Sequence, residues 1–242
     1  MNVFSFHLAE CGIATSLRAM ALPPTSRTAP GLVHAECLLP MTLGRPVALP
    51  SRYRPHQLAV FAAWDSEAAI DEFLSSCNLG LALASGWHVR MEFLRRWGYV
   101  RALDGLPLTA HEHSDDQPVV AVTLARLRVS QAFRFIRWGK PVEEQVRDDP
   151  AATFSLAAMR PIGTLSTFSI WRTQRAMTDM VHGRSSASSA MRHARAMVER
   201  SRKDFHHEFT TLRFRAVSEH GSWEVRNRLL PSPGDTVKVS GS

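Results

Sequence analysis

The chain has 242 residues, a formal charge of +7, 45% hydrophobic and 21% charged residues. That length holds one large domain or two of about 110 residues, and the composition excludes a disordered or fibrous chain. The charge permits an acidic ligand or a membrane surface without requiring either, and the basic residues are too interrupted to suggest a nucleic-acid reader.

Three cysteines, Cys11, Cys37 and Cys77, are odd in number and lack CxxC spacing, which argues against a disulfide framework or zinc site and for a reducing interior. The N-terminus MNVFSFHLAE has no basic n-region, so no signal peptide is expected. No apolar run reaches the ~18 residues of a spanning helix. The expected location is the cytoplasm, with any membrane contact peripheral.

In chain order, Val3–Leu8 reads as a strand, and Cys11–Leu22 as a helix stopped by Pro23-Pro24. Gly31–Leu39 reads as a strand, followed by a proline-rich loop over Pro40–Pro55. Gln57–Ala63 is a strand, Asp65 an N-cap, Ser66–Ser75 a helix with Ala69, Ile70 and Phe73 on one face, and Trp87–Leu94 a strand. After the polar linker TAHEHSDDQ the order recurs. Val119–Arg128 is a strand, and Ser130–Val146 a helix with an expected break at Gly139-Lys140-Pro141. Ala152–Met159 and Leu165–Trp171 are strands joined by a turn at Pro161-Ile162-Gly163. Gln174–Val181 is a helix, GRSSASS at 183–189 interrupts it, Ala190–His206 resumes it, and Phe209–Val217 is the last strand.

Two stretches match at a constant offset of 107 residues: LAVFAAWDSEAAIDEF at Leu58–Phe73 and LSTFSIWRTQRAMTDM at Leu165–Met180. Leu58, Phe61, Trp64 and Ala69 recur as Leu165, Phe168, Trp171 and Ala176, and Ser66 recurs as Thr173. A period this long is not that of a solenoid, whose repeats run about 20–50 residues. It predicts an α+β protein of two tandem ferredoxin-like βαββαβ repeats packed sheet to sheet. The divisions are a first repeat at 1–108, a linker at 109–117, a second repeat at 118–230 and a disordered tail at 231–242. Each unit leaves one apolar sheet face to bury, so the pair is expected to enclose an apolar cavity.

The second repeat carries the richer chemistry. His193 lies in the helical string AMRHARAM, with Ala190 and Met197 on its side and Ala194 and Ala196 flanking it. A neutral imidazole among small residues can hold a metal or a flat cofactor, and equally can be a solvated helix-surface histidine. His206-His207, the cluster His111-Glu112-His113 and His88 are weaker candidates: adjacent histidines point apart, and the cluster lacks a third histidine or cysteine partner. Trp223 is expected to anchor one end of the barrel. HExxH, GxSxG, the P-loop and a framed GxGxxG are absent from the sequence.

An apolar strand ending in Trp171, then Thr173, Ala176 and a helical histidine, resembles the dimeric α/β-barrel monooxygenases. More of the chain resembles the spheroidene monooxygenase family. WRTQRAMTDMVHG from Trp171 and HARAMVERSRKDFHHEFTTLRFRAVSEHGSWE from His193 resemble its C-terminal half, and PGL at Pro30–Leu32 and AAWDSEAAIDEF at Ala62–Phe73 its N-terminal half. The resemblance implies a dimeric α/β-barrel fold, a haem, O2 as co-substrate, an electron donor, and oxidation of a hydrophobic, carotenoid-like substrate. It further implies His193 as the axial iron ligand, with His182 the alternative, and Trp171 as a catalytic-pocket residue. Arg192, Arg195 and Arg213 become candidates for the haem propionates, and Thr123 or Arg126 for a polar residue on the second repeat's first strand. Unactivated C–H oxidation needs such a cofactor. The alternatives are a cofactor-independent oxygenase of the same fold and a non-catalytic binder of an apolar ligand, either as a monomer of tandem repeats or as a homodimer.

Overall fold

A computed structural model describes residues 3–161, 163–184 and 191–231. The expected turn residue Ile162, most of the 183–189 interruption, Ala190 and the tail from 232 lie outside the described residues, as does the side chain of Ala194.

The first half runs β1 (Val3–Glu10), α1 (Ile13–Ala21), β2 (Leu32–Met41), β3 (Gln57–Trp64), α2 (Glu67–Ser76), α3 (Asn78–Ala84) and β4 (Trp87–Tyr99). The second runs β5 (Val119–Leu127), α4 (Ala132–Asp148), β6 (Ala152–Arg160), β7 (Thr164–Trp171), α5 (Gln174–Val181), α6 (Arg192–Arg202) and β8 (His206–His220). The short helix α3 has no counterpart among the sequence expectations. The N-cap of α2 is Ser66 and not Asp65: its side chain accepts from the Ala69 amide at 3.3 Å, and Thr173 accepts from the Ala176 amide at 3.1 Å in the second half. The Ser/Thr and Ala matches of the sequence repeat are therefore cap pairs, each satisfying an orphan amide of a first helical turn.

Helix α4 continues through Pro141 without a break. A proline removes one helical hydrogen bond, but anchors on both sides hold the rod together. Arg134 pairs with Glu199 of α6 at 2.8 Å, and Glu143 pairs with Arg52 at 2.7 Å.

All strand pairs are antiparallel, and among the described residues the strands close into an eight-stranded barrel in the order β1-β3-β2-β6-β7-β5-β8-β4. Each half contributes four neighbouring strands. The halves join at a short seam between β2 and β6 and a long one between β4 and β8.

The interior is packed with side chains where an apolar cavity was expected. Phe4 stands 5.0 Å from Phe214, Phe6 stacks on Phe168 at 3.9 Å, and Trp87, Met91, Val122 and Leu212 fill around them. An eight-stranded barrel is just wide enough for side chains to occupy its centre, and large aromatics on alternate positions do so here. Trp223, Leu229 and Leu230 pack against one end of this core, where Glu219 accepts from the Trp87 indole at 2.7 Å and the Leu229 amide at 2.6 Å. Glu36, fully buried inside the barrel, meets Arg126, His34 at 3.0 Å and Arg160 at 3.2 Å. Arg126 is therefore part of an internal ion cluster, away from the outer sheet face.

Candidate functional site

With the interior filled, space for a ligand has to be sought on the outer sheet face, under the helices. The two halves differ there. Over the first half, Val60, Ala62 and Trp64 are buried beneath Ala19, Met20, Ile70, Phe73 and Leu74. Over the second, α4 buries only Gln145 among its seventeen residues, and α6 buries none of its described side chains. Thr167, the match of Val60 in the repeat, is solvent-exposed although it lies mid-strand, paired with Thr123 on one side and Ala157 on the other.

Strand register gives this floor two cross-strand rows. One runs Arg95, Arg213, Ala121, Ser169, Ser155; the other runs Trp97, Thr211, Thr123, Thr167, Ala157. Side chains alternate faces along a strand, so small and hydroxylic residues occupy the outer face while Val120, Val122, Leu124, Phe168 and Ile170 occupy the core. Thr123 belongs to the floor, and its hydroxyl lies 3.5 Å from that of Thr211.

Trp171 ends β7 at the edge of this floor, fully buried against Leu94, Val119, Met177 and Met180. Its indole N–H donates to the Ser169 hydroxyl at 2.8 Å. In the first half Trp64 packs on Phe73, and its indole donates to Ser5 at 2.8 Å. Val181 packs against the Trp171 cluster, and its carbonyl lies 3.0 Å from Nδ1 of His193. The structure thus brings Trp171 and His193 into one neighbourhood through the end of α5.

That carbonyl decides the imidazole's tautomer. A carbonyl can only accept, so Nδ1 carries the proton and Nε2 keeps its lone pair. Nε2 makes no hydrogen bond among the described residues. Burial pulls the His193 pKa down, the Val181 carbonyl opposes this, and nearby His182 lowers it further. The ring is therefore neutral at pH 7, the form that ligates metals. A metal-bound histidine commonly gives its other ring N–H to a carbonyl in this way.

Gln145, which the sequence did not single out, holds the junction. Its amide N–H donates to the Met180 carbonyl at 3.2 Å, and its Oε1 accepts from the His193 backbone N–H at 2.8 Å. Helix α6 has no side-chain cap of its own at Met191, so Gln145 of α4 supplies one from outside.

The other expected residues are dispersed. His182 is exposed at the end of α5. Arg192 pairs with Glu144 of α4 at 3.0 Å. Arg195 is exposed and lines a shallow groove of about 230 Å³ with Trp138, Met191, Val198, Glu199 and Arg202. Arg213 lies on the floor itself, 8% exposed, over the Trp97 ring. His206 is buried among Phe135, Phe205 and Phe209, while His207 is exposed. His111 pairs with Glu92 at 3.3 Å, and His113 meets the Pro118 carbonyl. No group of three or more metal-binding side chains occurs among the described residues.

No protein-family model matches the chain, and no curated protein matches it. Solved structures do. An aldoxime dehydratase in complex with butyraldoxime aligns over 90% of this chain and 80% of its own, at 9% identity and a TM-score of 0.55. A second aldoxime dehydratase aligns over 90% and 81%, at 11% identity and 0.54. A ferredoxin-fold protein from Listeria monocytogenes, related to antibiotic biosynthesis monooxygenases, aligns over 88% and 95%, at 11% identity and a TM-score of only 0.28. The fold is shared with the aldoxime dehydratases. Among the described residues no helix is long and apolar enough to cross a membrane.

Proposed function

We propose that this protein is a haem-dependent monooxygenase of hydrophobic, carotenoid-like substrates, similar to the spheroidene monooxygenases, with its site between the second-half sheet and α6. The observation that carries the proposal is His193, a neutral imidazole with Nδ1–H held by a carbonyl and Nε2 unengaged. This donor suits haem iron, which is often held by one proximal histidine. The small residues of the floor, with Thr167 exposed at its centre, suit a flat ligand.

Bound haem would supply the oxygen activation that C–H oxidation requires. The chain's part is to hold and orient. The Val181 carbonyl fixes the His193 tautomer, Gln145 fixes the α6 backbone that carries it, and Trp171 sets α5 on the sheet. O2 and an external electron donor complete the stoichiometry. We place the protein in the cytoplasm with the repeats as tandem ferredoxin-like units, as a monomer or a homodimer.

The test is an absorption spectrum after reconstitution with haem. A Soret band is expected, lost in His193→Ala and retained in His182→Ala. A wild-type protein without the band, or a His193→Ala variant with undiminished haem affinity, overturns the reading. Oxygen uptake with a reductant and an acyclic carotenoid then separates an oxygenase from a non-catalytic binder.

A further inference from the structure

At the β4–β8 edge of the floor, two guanidinium groups share one indole ring and have no carboxylate within ion-pair distance among the described residues. Arg95 and Arg213 are cross-strand partners. Their guanidinium carbons lie 4.0 Å and 4.4 Å from the centre of the same Trp97 ring. The Nε atoms of both are buried and unpartnered. Among the described residues neither guanidinium has a carboxylate within ion-pair distance or makes a hydrogen bond. Nearby carboxylates are already committed: Glu92 to Arg215 and His111, and Asp115 to the side chain of Gln174.

A buried charge is costly unless paired, and two like charges together compound that cost. The indole face offsets part of it through cation–π attraction but cannot satisfy the N–H donors. Arg213 registers this: burial, and next to it the Arg95 charge, pull its pKa down to about 10, with the Asp115 charge opposing. Such a pair is completed by an anion from outside. The planar guanidinium fork matches a carboxylate, and beside it, past Trp97, runs the less buried row Thr211, Thr123 and Thr167.

We propose that Arg95 and Arg213, seated on Trp97, form a carboxylate-binding site, and that the site's ligand is an acid whose body lies along the Thr211–Thr123–Thr167 row of the floor. The haem reading above supplies one source, a carboxylate of the prosthetic group, and that arm rests on it. A free long-chain carboxylic acid is the other source, and its arm does not.

Binding is measured by quenching of tryptophan fluorescence with two probe pairs: haemin against haemin dimethyl ester, and oleate against oleyl alcohol. Hydrogen bonds to charged groups predict that the acid of at least one pair binds about 10- to 100-fold more tightly than its neutral partner. Arg213→Gln and Arg95→Gln should erase that preference without weakening the neutral probe. Discrimination within the haemin pair assigns the carboxylate to a prosthetic group; discrimination by oleate alone assigns it to a free acid, even if no Soret band forms. Equal affinity for acid and neutral forms in both pairs overturns the proposal, and this comparison needs only the wild-type protein. So does an acid preference that survives both substitutions.

Discussion

Two kinds of buried polar residue behave oppositely in this molecule. Gln145 satisfies its surroundings, whereas His7 and His88 are held neutral by theirs. Replacing Gln145 with Leu would orphan the His193 amide and remove one of the two donors to the Met180 carbonyl, which keeps the Gly183 N–H, at a cost of about 1–3 kcal/mol. Under the proposed haem reading, haem affinity should weaken with it, because the α6 backbone bearing His193 loses its tether. A denaturant titration and a haem titration check the two effects, and a stable variant with unchanged affinity would show that Gln145 does not position the histidine.

His7 stacks on His88 at 4.9 Å, and His88 on His220 at 4.6 Å, across three adjacent strands. Burial, then neighbouring charges, push the His7 pKa well below its ordinary value and that of His88 from 6.5 down to about 4. The unfolded chain therefore takes up protons first as pH drops. No stability is at stake above pH 6.5, and stability should fall steadily from there to about pH 4, where folded His88 also protonates. Thermal melts across that range should show the decline, and His88→Phe should make it shallower, leaving the part due to buried His7.

At the scale of elements, the two halves hold the same strand pattern and differ in what covers it. The contrast is sharpest at one repeat position, where Val60 is 2% exposed and Thr167 stands open. Val60→Thr places a hydroxyl in a closed apolar layer and should cost about 1–3 kcal/mol. Thr167→Val should stay within about 0.5 kcal/mol, as exposed substitutions do. Equal losses in urea titrations would mean that both floors are sealed.

The sequence reveals the strands on both sides of this comparison, because Leu58–Trp64 and Leu165–Trp171 align at one offset and share their Leu, Phe and Trp, and it reveals both helix starts through Ser66 and Thr173. It does not reveal the openness. Helix α4 looks as amphipathic as a covering helix should, and only its sparse burial, Gln145 alone, shows otherwise. The motif pointed to Trp171 and His193, and the structure brings these two into one neighbourhood. Gln145 was not, since a glutamine in a polar helix carries no local signal. The Arg95–Arg213 pair was half legible: Arg213 stood on an expected strand, but β4 extends to Tyr99, beyond the expected end at Leu94, so its partner was hidden.

At the scale of the whole molecule, closing the barrel depends on two seams of unequal length. The β4–β8 seam spans His88 to Tyr99, whereas β2 and β6 share only three partner pairs, Leu39–Met159, Pro40–Ala158 and Met41–Ala157. Glu36 reinforces the short seam. From β2 it reaches Arg160 of β6 and Arg126 of β5, with His34 alongside. Burial alone would raise its pKa, but hydrogen bonds from His34 and Arg126, with the Arg126 charge, outweigh this and hold it at about 2. Its contribution is therefore fully present above pH 4.5 and is lost as pH falls through 2. Glu36→Gln leaves two arginines facing a neutral amide, and removing one partner of a buried pair costs about 3–5 kcal/mol. The stability gap between wild type and variant should be widest at neutral pH and narrow from pH 4.5 downward, because the wild-type carboxyl protonates into the same uncharged state. The histidine effect above pH 4 is common to both proteins and cancels in the difference. Urea titrations of both at pH 7, 4 and 2.5 measure the gap. A gap that persisted unchanged into acid would show that the loss came from packing at the barrel's end and not from the charge that ties the two halves together.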